Sequence, residues 1–318
     1  MIARDRGRMA AAAGLGMLVW LSWCASAGAE DAGQAAQQTT ITVGHQTSDP
    51  KKYYKFAKPL ADYLAGQLAD LGIQEGRVVF AKNHPDFLKL VQENQVDVIA
   101  ESPFASLLYA EQAGTKIVLL RLKKGSREYR SRIFVMKDRG ISAVEQLKGK
   151  KIGCEDPGST SSYMVPKAVL KQRGFELVEL KTPQDPVPPE RVGYVFLGGE
   201  LNISHAVHRG EVDAGALSNE EFDDPEAVPD AFRPDFQVIY DSPPVPRHLV
   251  SVRPGMDPTL EAAIIRVLLD MKNTEAGRQV LQAFEKSQFE ELAGGPDAAL
   301  RDVKALYHLV RDEVLTGN

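Results

Sequence analysis

The sequence predicts an α/β protein of two lobes, each a mixed, mostly parallel β-sheet flanked by helices, with a cleft between the lobes. Three observations carry this. Strand and helix patterns alternate along most of the chain, the alternation falls into two successive blocks, and a proline-rich segment stands where the second block would return to the first. With 318 residues and 43% hydrophobic content, the chain can bury a sizeable core and divide into two lobes.

The elements follow in order. Residues 41–45 alternate as a strand, and residues 53–68 place Phe56, Leu60, Tyr63 and Leu64 at helical spacing. A strand is predicted at 77–81, a helix at 86–94, a strand at 96–100, a helix at 104–113 and a strand at 117–122. Residues 131–136 form one more strand, taken as the first crossing out of lobe one. The second block holds a helix at 143–147, a strand at 151–154, a helix from Tyr163 to Gly174, and a strand at 193–196. A helix at 203–209, a strand at 212–217 and a helix from about Asn219 follow. After a strand at 236–240, Ser242-Pro243-Pro244-Val245-Pro246 fixes its backbone angles and suits a stiff return crossing. A strand at 248–252 rejoins the first lobe, which helices at 258–271 and 275–284 complete. The boundaries are therefore 41–132 plus 247–318 for lobe 1, and 133–246 for lobe 2. Such a layout puts a cleft at the carboxyl ends of the strands.

Ahead of these lobes, Arg4, Arg6 and Arg8 precede an uncharged stretch at 9–23, too short to span a membrane comfortably. Ala25-Ser26-Ala27-Gly28-Ala29 supplies the small residues that precede signal-peptide cleavage. Residues 1–29 read as an export signal cleaved near Ala29, and 30–40 as a flexible leader, giving an exported, periplasmic protein. Leu21-Ser22-Trp23-Cys24 approaches a lipoprotein box, but Trp23 stands where a small residue is expected, so simple cleavage is favoured over lipidation at Cys24. Cys154 is then the one cysteine of the mature chain and reads as a small core residue. The net charge of −5, without blocks of like charge, argues against nucleic acid as the main partner.

Function is written most clearly at residues 154–163, Cys-Glu-Asp-Pro-Gly-Ser-Thr-Ser-Ser-Tyr. Asp156-Pro157-Gly158 is turn chemistry. Ser159, Thr160 and Ser161 then open a helix, where backbone N–H groups lack intrahelical partners and the helix dipole is positive. Hydroxyls beside free N–H groups can hold a tetrahedral oxyanion without a formal positive charge. A plain helix cap would need only one of them.

The motif set Glu155-Asp156-Pro157-Gly158-Ser159-Thr160-Ser161-Ser162-Tyr163, Gln95-Val96-Asp97-Val98, Gly210-Glu211-Val212-Asp213-Ala214-Gly215 and Ser242-Pro243 with Pro246 is similar to that of a known family. It resembles the phosphate/phosphite/phosphonate-binding components of ABC transporters, which are periplasmic solute-binding proteins of the type II fold. The resemblance spans roughly residues 41–284. The family commonly shows Asp-Pro-x-Ser-Thr-Ser-Gly, so Ser162 departs from its glycine. The resemblance implies that Ser159, Thr160 and Ser161 hold phosphonate oxygens, with Tyr163 nearby. It also implies that acidic and aromatic residues on the opposite wall receive an ammonium group in aminophosphonate binders, so that a cationic tail is expected where Glu101, Glu200 and Glu220 converge. The matching segments offer His84, Glu101, Ser102, Glu200, Glu220 and His248, of which Glu220 falls at a family carboxylate. His84 and Glu101 stand at tyrosine-like positions, and His248 stands at an acidic one. Tyr53 and Tyr54 begin the first helix near the cleft, where one of them is a candidate for touching ligand and core packing is favoured for at least one, and a solvated-loop role stays open for each glutamate.

The expectation is a monomeric, non-catalytic receptor for a phosphonate, phosphite or phosphate-type oxyanion, with an inner-membrane ABC permease as partner and no cofactor. Two other readings stay open: a periplasmic sensing module serving a membrane sensor kinase, and a secreted hydrolase using Ser159. No histidine base is placed beside Ser159 by sequence, which disfavours the hydrolase. His205 and His208 lie three apart on a helix without a clear third ligand, so no metal is expected. Lys123-Lys124-Gly125-Ser126-Arg127 reads as a solvated turn.

Overall fold

A computed structural model describes residues 38–312 apart from Ser48. The expected signal segment 1–29, Cys24 and most of the leader lie outside the described residues. The first strand, β1 (Thr40–Gln46), buries Ile41 and Val43 on opposite sides from Thr42 and Gly44, as a strand covered on both faces must. It runs through α1 (Pro50–Gln67) into its parallel neighbour β2 (Glu75–Ala81). A side chain at Gly76 would meet the Ala61 backbone at 2.3 Å, so the glycine lets α1 lie flat on the sheet.

The chain continues through α2 (His84–Gln92), β3 (Val98–Glu101), α3 (Pro103–Ala113) and β4 (Lys116–Leu122). It leaves the first sheet through the short strand β5 (Glu128–Tyr129) and enters the second at β6 (Ser131–Met136). The second block holds β7 (Lys151–Cys154), a π-helical turn (Thr160–Met164), α4 (Val165–Gln172), β8 (Leu177–Glu179), β9 (Val192–Phe196), α5 (Glu200–Arg209), β10 (Ala214–Ser218), α6 (Asn219–Asp223) and β11 (Phe236–Asp241). It returns through β12 (Val245–Pro246) to β13 (His248–Val252), then α7 (Pro258–Asp270), α8 (Glu275–Ala283), β14 (Gln288–Glu290), α9 (Gly295–Ala299) and α10 (Arg301–His308).

Two six-stranded mixed sheets result, in the orders β14-β4-β13-β3-β1-β2 and β11-β6-β10-β7-β9-β8. The two crossings pair with one another: β5 and β12 form an antiparallel ribbon matching Tyr129 to Val245 and Glu128 to Pro246. Ser131–Met136, expected as the outward crossing, is instead an antiparallel strand inside the second sheet, between β10 and β11. The crossing lies one step earlier, where only two residues of strand are needed to pass between lobes. The helix expected from Tyr163 begins earlier, as the π turn, and β8, β14, α9 and α10 are additions to the sequence reading.

One apolar cluster packs α1, α7 and α8 on the first sheet, around Ile41, Leu64, Ile264 and Phe289. A second packs α5 on the other sheet, around Phe134, Val195, Ile203 and Phe236. A third runs from one lobe into the other through Phe104, Leu108, Ala168 and Leu306. At its back α10 touches both α3 and α4. Tyr307 donates to Glu111 of α3 at 2.6 Å, while Lys171 of α4 donates to the Leu309 carbonyl at 3.2 Å.

Asp97 fastens the first sheet. Its buried carboxylate accepts from the Thr42 N–H (2.8 Å), Arg253 Nε (2.9 Å) and Gln38 Nε2 (2.9 Å). Asp97→Ala would strand the Arg253 guanidinium and two donors, so urea denaturation is expected to show a loss of about 3 kcal/mol.

Candidate functional site

Cys154 ends β7, and the chain must turn there before the next helix. Asp156 Oδ1 accepts the Gly158 N–H at 2.7 Å, closing the turn. Ser159 Oγ accepts the Ser162 N–H at 3.1 Å as an N-cap. Ser162 Oγ accepts the Glu155 N–H (2.8 Å) and donates to the Ala216 carbonyl of β10 (2.6 Å). The residue that departs from the family's glycine thus pins the turn to its sheet. Thr160 and Ser161 are the first two residues of the π turn, so their N–H groups have no partner within it. Ser131 Oγ donates to the Ser161 carbonyl at 2.5 Å. Thr160 Oγ1 is buried without a well-formed hydrogen bond, with the Tyr129 hydroxyl as its neighbour.

This turn faces a cavity of about 620 Å³ between the lobes, within the size range of sites for small organic ligands. The second-lobe wall is Glu155 to Ser161 with Gly198, Gly199, Glu200 and Glu221. The first-lobe wall includes His45, Tyr53, His84, Glu101, Ser102, Lys123 and His248, and the crossings add Tyr129 and Arg247. At the lip the walls nearly touch. A side chain at Gly158 would lie 3.8 Å from His84 Nε2 and 3.9 Å from Gln46 Oε1.

Of the sequence-predicted residues, Ser159, Thr160, Ser161, His84, Glu101, Ser102, Glu200 and His248 all line this cavity. Two predicted residues do not. Tyr163 is buried in the second-lobe core, its hydroxyl 3.2 Å from that of Tyr194 and taking a hydrogen bond from Lys167 Nζ at 2.6 Å. Glu220 is turned onto Arg247, accepting from Nε at 3.0 Å, and its neighbour Glu221 borders the cavity instead.

The electrostatics are uneven. Glu101 is buried, which opposes its ionisation. The His45 ring at 2.7 Å and the Gln46 N–H at 2.8 Å outweigh that and hold its carboxyl below the usual range. Burial lowers the pKa of His84, whose Nδ1 pairs with the Tyr109 hydroxyl at 2.8 Å. Glu155 is pushed up to about 8 by burial and by Glu200, Asp156 and Glu221 around it.

Several lining residues escaped sequence reasoning. Lys123 is no solvated turn residue: it borders the cavity and pairs with Glu285 at 3.1 Å. An arginine is present as well, since Arg247 sits 4.5 Å over the Tyr129 ring. Its place beside Pro246 was the available signal, because residues flanking a crossing form the floor of an interlobe cleft. His208 stacks on Phe232 at 3.9 Å and approaches Asp235 at 3.3 Å, and no cluster of three or more candidate metal ligands occurs among the described residues.

Two α/β lobes closing on a hydroxyl-rich helix opening define a two-lobed solute receptor of the type II periplasmic fold. More narrowly, the chain belongs to the family of periplasmic substrate-binding proteins of ABC phosphonate transporters, whose sequence model matches residues 44–294. Among solved structures, it is similar to XAC2383 from Xanthomonas citri, with 28% identity over 87% of this chain. That protein was solved bound to chloride ion (TM-score 0.80, 99% of that chain covered) and bound to ATP (TM-score 0.79, 98% covered). PhnD1 from Prochlorococcus marinus in complex with methylphosphonate shares the fold at a TM-score of 0.61 and 15% identity, over 86% of this chain and 98% of that one. A binding component of an ABC phosphonate transporter from Pseudomonas aeruginosa does so at 0.60 and 20%, over 88% and 89%.

The folded protein keeps the Glu155 proton up to about pH 8, well above where an unfolded glutamate releases it near 4.5. Between those values the native state binds more protons than the unfolded one, so this group removes stability as pH rises. Denaturation midpoints of the wild type are expected to fall more steeply from pH 5 to pH 8 than those of Glu155→Gln.

Proposed function

We propose that this protein captures a small phosphorus oxyanion, an organophosphonate, phosphite or phosphate, between its lobes. The anion would be gripped by Thr160 and Ser161 with Arg247 on the cleft floor. As an exported monomer whose signal is cleaved near Ala29, it would deliver that ligand to an ABC permease without chemical turnover. The observation that carries this reading is the opening of the π turn. There two backbone N–H groups lack intrahelical partners, and the Thr160 hydroxyl is buried without a well-formed hydrogen bond, in an interlobe cavity that Arg247 also lines. Leaving a buried hydroxyl unpaired costs free energy that an incoming acceptor would recover. Family membership supports the ligand class. Of the three hydroxyls only Ser159 is spent, as the cap of its own turn.

Membership of a family of transporter substrate-binding proteins supports the reading without turnover, and His84 pairs through Nδ1 with Tyr109 rather than with Ser159.

Calorimetry on refolded, ligand-free protein with phosphate, phosphite, methylphosphonate and 2-aminoethylphosphonate tests the reading, and ATP joins the panel because the 28%-identical relative was solved with it. At least one phosphorus compound is expected to bind. Saturation at about a hundred times the dissociation constant would add about 2.7 kcal/mol of stability in a melting curve. Silence across the whole panel would end the proposal. Ser161→Ala and Thr160→Val each remove a hydroxyl donor worth about 1.5–3 kcal/mol toward a charged acceptor. Each is expected to weaken the tightest ligand roughly 10- to 150-fold.

A further inference from the structure

We propose that the ligand of this cleft carries a second anionic group linked to its phosphorus oxyanion, as in a pyrophosphate or other condensed phosphate, and that Lys123 and His248 hold that second group. This deepens the reading above and rests on it.

The first ground is charge placement. Behind the first-lobe wall, Arg121 is 1% exposed, with its Nη2 on Glu285 at 2.6 Å. Lys123 reaches the other oxygen of the same carboxylate at 3.1 Å. One carboxylate thus serves two cations. Arg247, the next cation along, is matched by Glu220 alone. Within this ion-paired cluster three buried or half-buried cations share two carboxylates, and an uncompensated charge withdrawn from water is costly unless a ligand neutralises it.

The second ground is the tautomer of His248. Arg121 Nη1 lies 2.9 Å from His248 Nδ1, and a guanidinium has only donors to offer. Nδ1 must therefore accept, and the neutral ring carries its proton on Nε2. Burial and the neighbouring Arg121, Lys123 and Arg247 keep the ring neutral. His248 lines the cavity as a fixed hydrogen-bond donor whose Nε2 has no partner among the described residues. The guanidinium that neutralises Glu285 also sets this donor.

The third ground is continuity and room. Arg247 lies over the Tyr129 ring, whose hydroxyl neighbours Thr160, and it is also close enough to Lys123 and His248 to influence both. Donors thus stand on the π turn, on the cleft floor and on the first-lobe wall of one cavity. A water occupies about 30 Å³ of liquid, so a cavity of 620 Å³ is several times larger than a five-atom oxyanion needs. Six carboxylates also line the cavity. Glu101 is engaged by His45 and the Gln46 N–H, Glu155 holds a proton near neutral pH, Asp156 accepts the Gly158 N–H and Glu221 accepts the Ser218 N–H in a capping box, while Glu200 stands on the second-lobe wall and Asp49 on the first.

The experiment is calorimetry with the full chain and five probes: phosphate, methylphosphonate, pyrophosphate, phosphonoacetate and ATP. Pyrophosphate or ATP is expected to bind at least tenfold tighter than either single anion. Phosphonoacetate distinguishes a carboxylate from a phosphate as the second group. In Lys123→Gln that advantage is expected to fall to within about threefold, with a melting temperature close to the wild type showing that the fold is kept. Single anions binding as tightly as pyrophosphate and ATP would overturn this inference while leaving the oxyanion reading intact. So would a Lys123→Gln protein that keeps its preference. If none of the probes binds, the reading beneath it falls too.

Discussion

The cleft depends on one hydroxyl. Ser162 Oγ takes the Glu155 N–H and gives its own proton to the Ala216 carbonyl, so a single buried atom joins the end of β7, the π turn and the middle strand of the second sheet. That bridge holds the turn in place where it lines the cavity, and Thr160 and Ser161, as its first two residues, have no partner for their amides within it. Elsewhere such amides would be satisfied by further helix or by water. Preorganised donors of this kind are effective toward anions because they need not be reoriented on binding.

Much of this was legible in the sequence, for reasons that also explain what was not. The strand and helix order followed from periodicity because strands in a mostly parallel sheet are buried on both faces and their helices carry one apolar stripe. The turn that lines the cavity was legible because turn, cap and hydroxyls are contiguous. Tyr163 was misplaced because a π turn shifts the register of the side chains that follow it, and nothing in Ser-Thr-Ser-Ser-Tyr announces the extra residue. Glu220 was assigned to the cleft over Glu221 because the rotation of a five-residue helix cannot be fixed from sequence, and its ion pair with Arg247 settles the matter only in three dimensions. Lys123 and Arg247 escaped for a shared reason. Their roles depend on Glu285 and on the pairing of β5 with β12, contacts between segments more than a hundred residues apart.

The two walls of the cavity differ in character. The second-lobe wall offers neutral donors and carboxylates, of which Glu155 is held protonated by burial and by the carboxylates around it. The first-lobe wall and the floor offer cations and a histidine fixed as a donor. An anion between them would exchange its hydration for hydrogen bonds from one side and charge from the other. Both would gain from the exclusion of water where the lips at Gly158 and His84 approach each other.

The last helix adds a mechanical consequence. The lobes are connected at the front by the paired ribbon and at the rear by α10, which leans on α3 and α4 together. Any change in the angle between the lobes would have to be matched by small adjustments where Tyr307 and Leu309 rest on their two neighbours. A helix that lies outside the cleft would thus share in every opening of it.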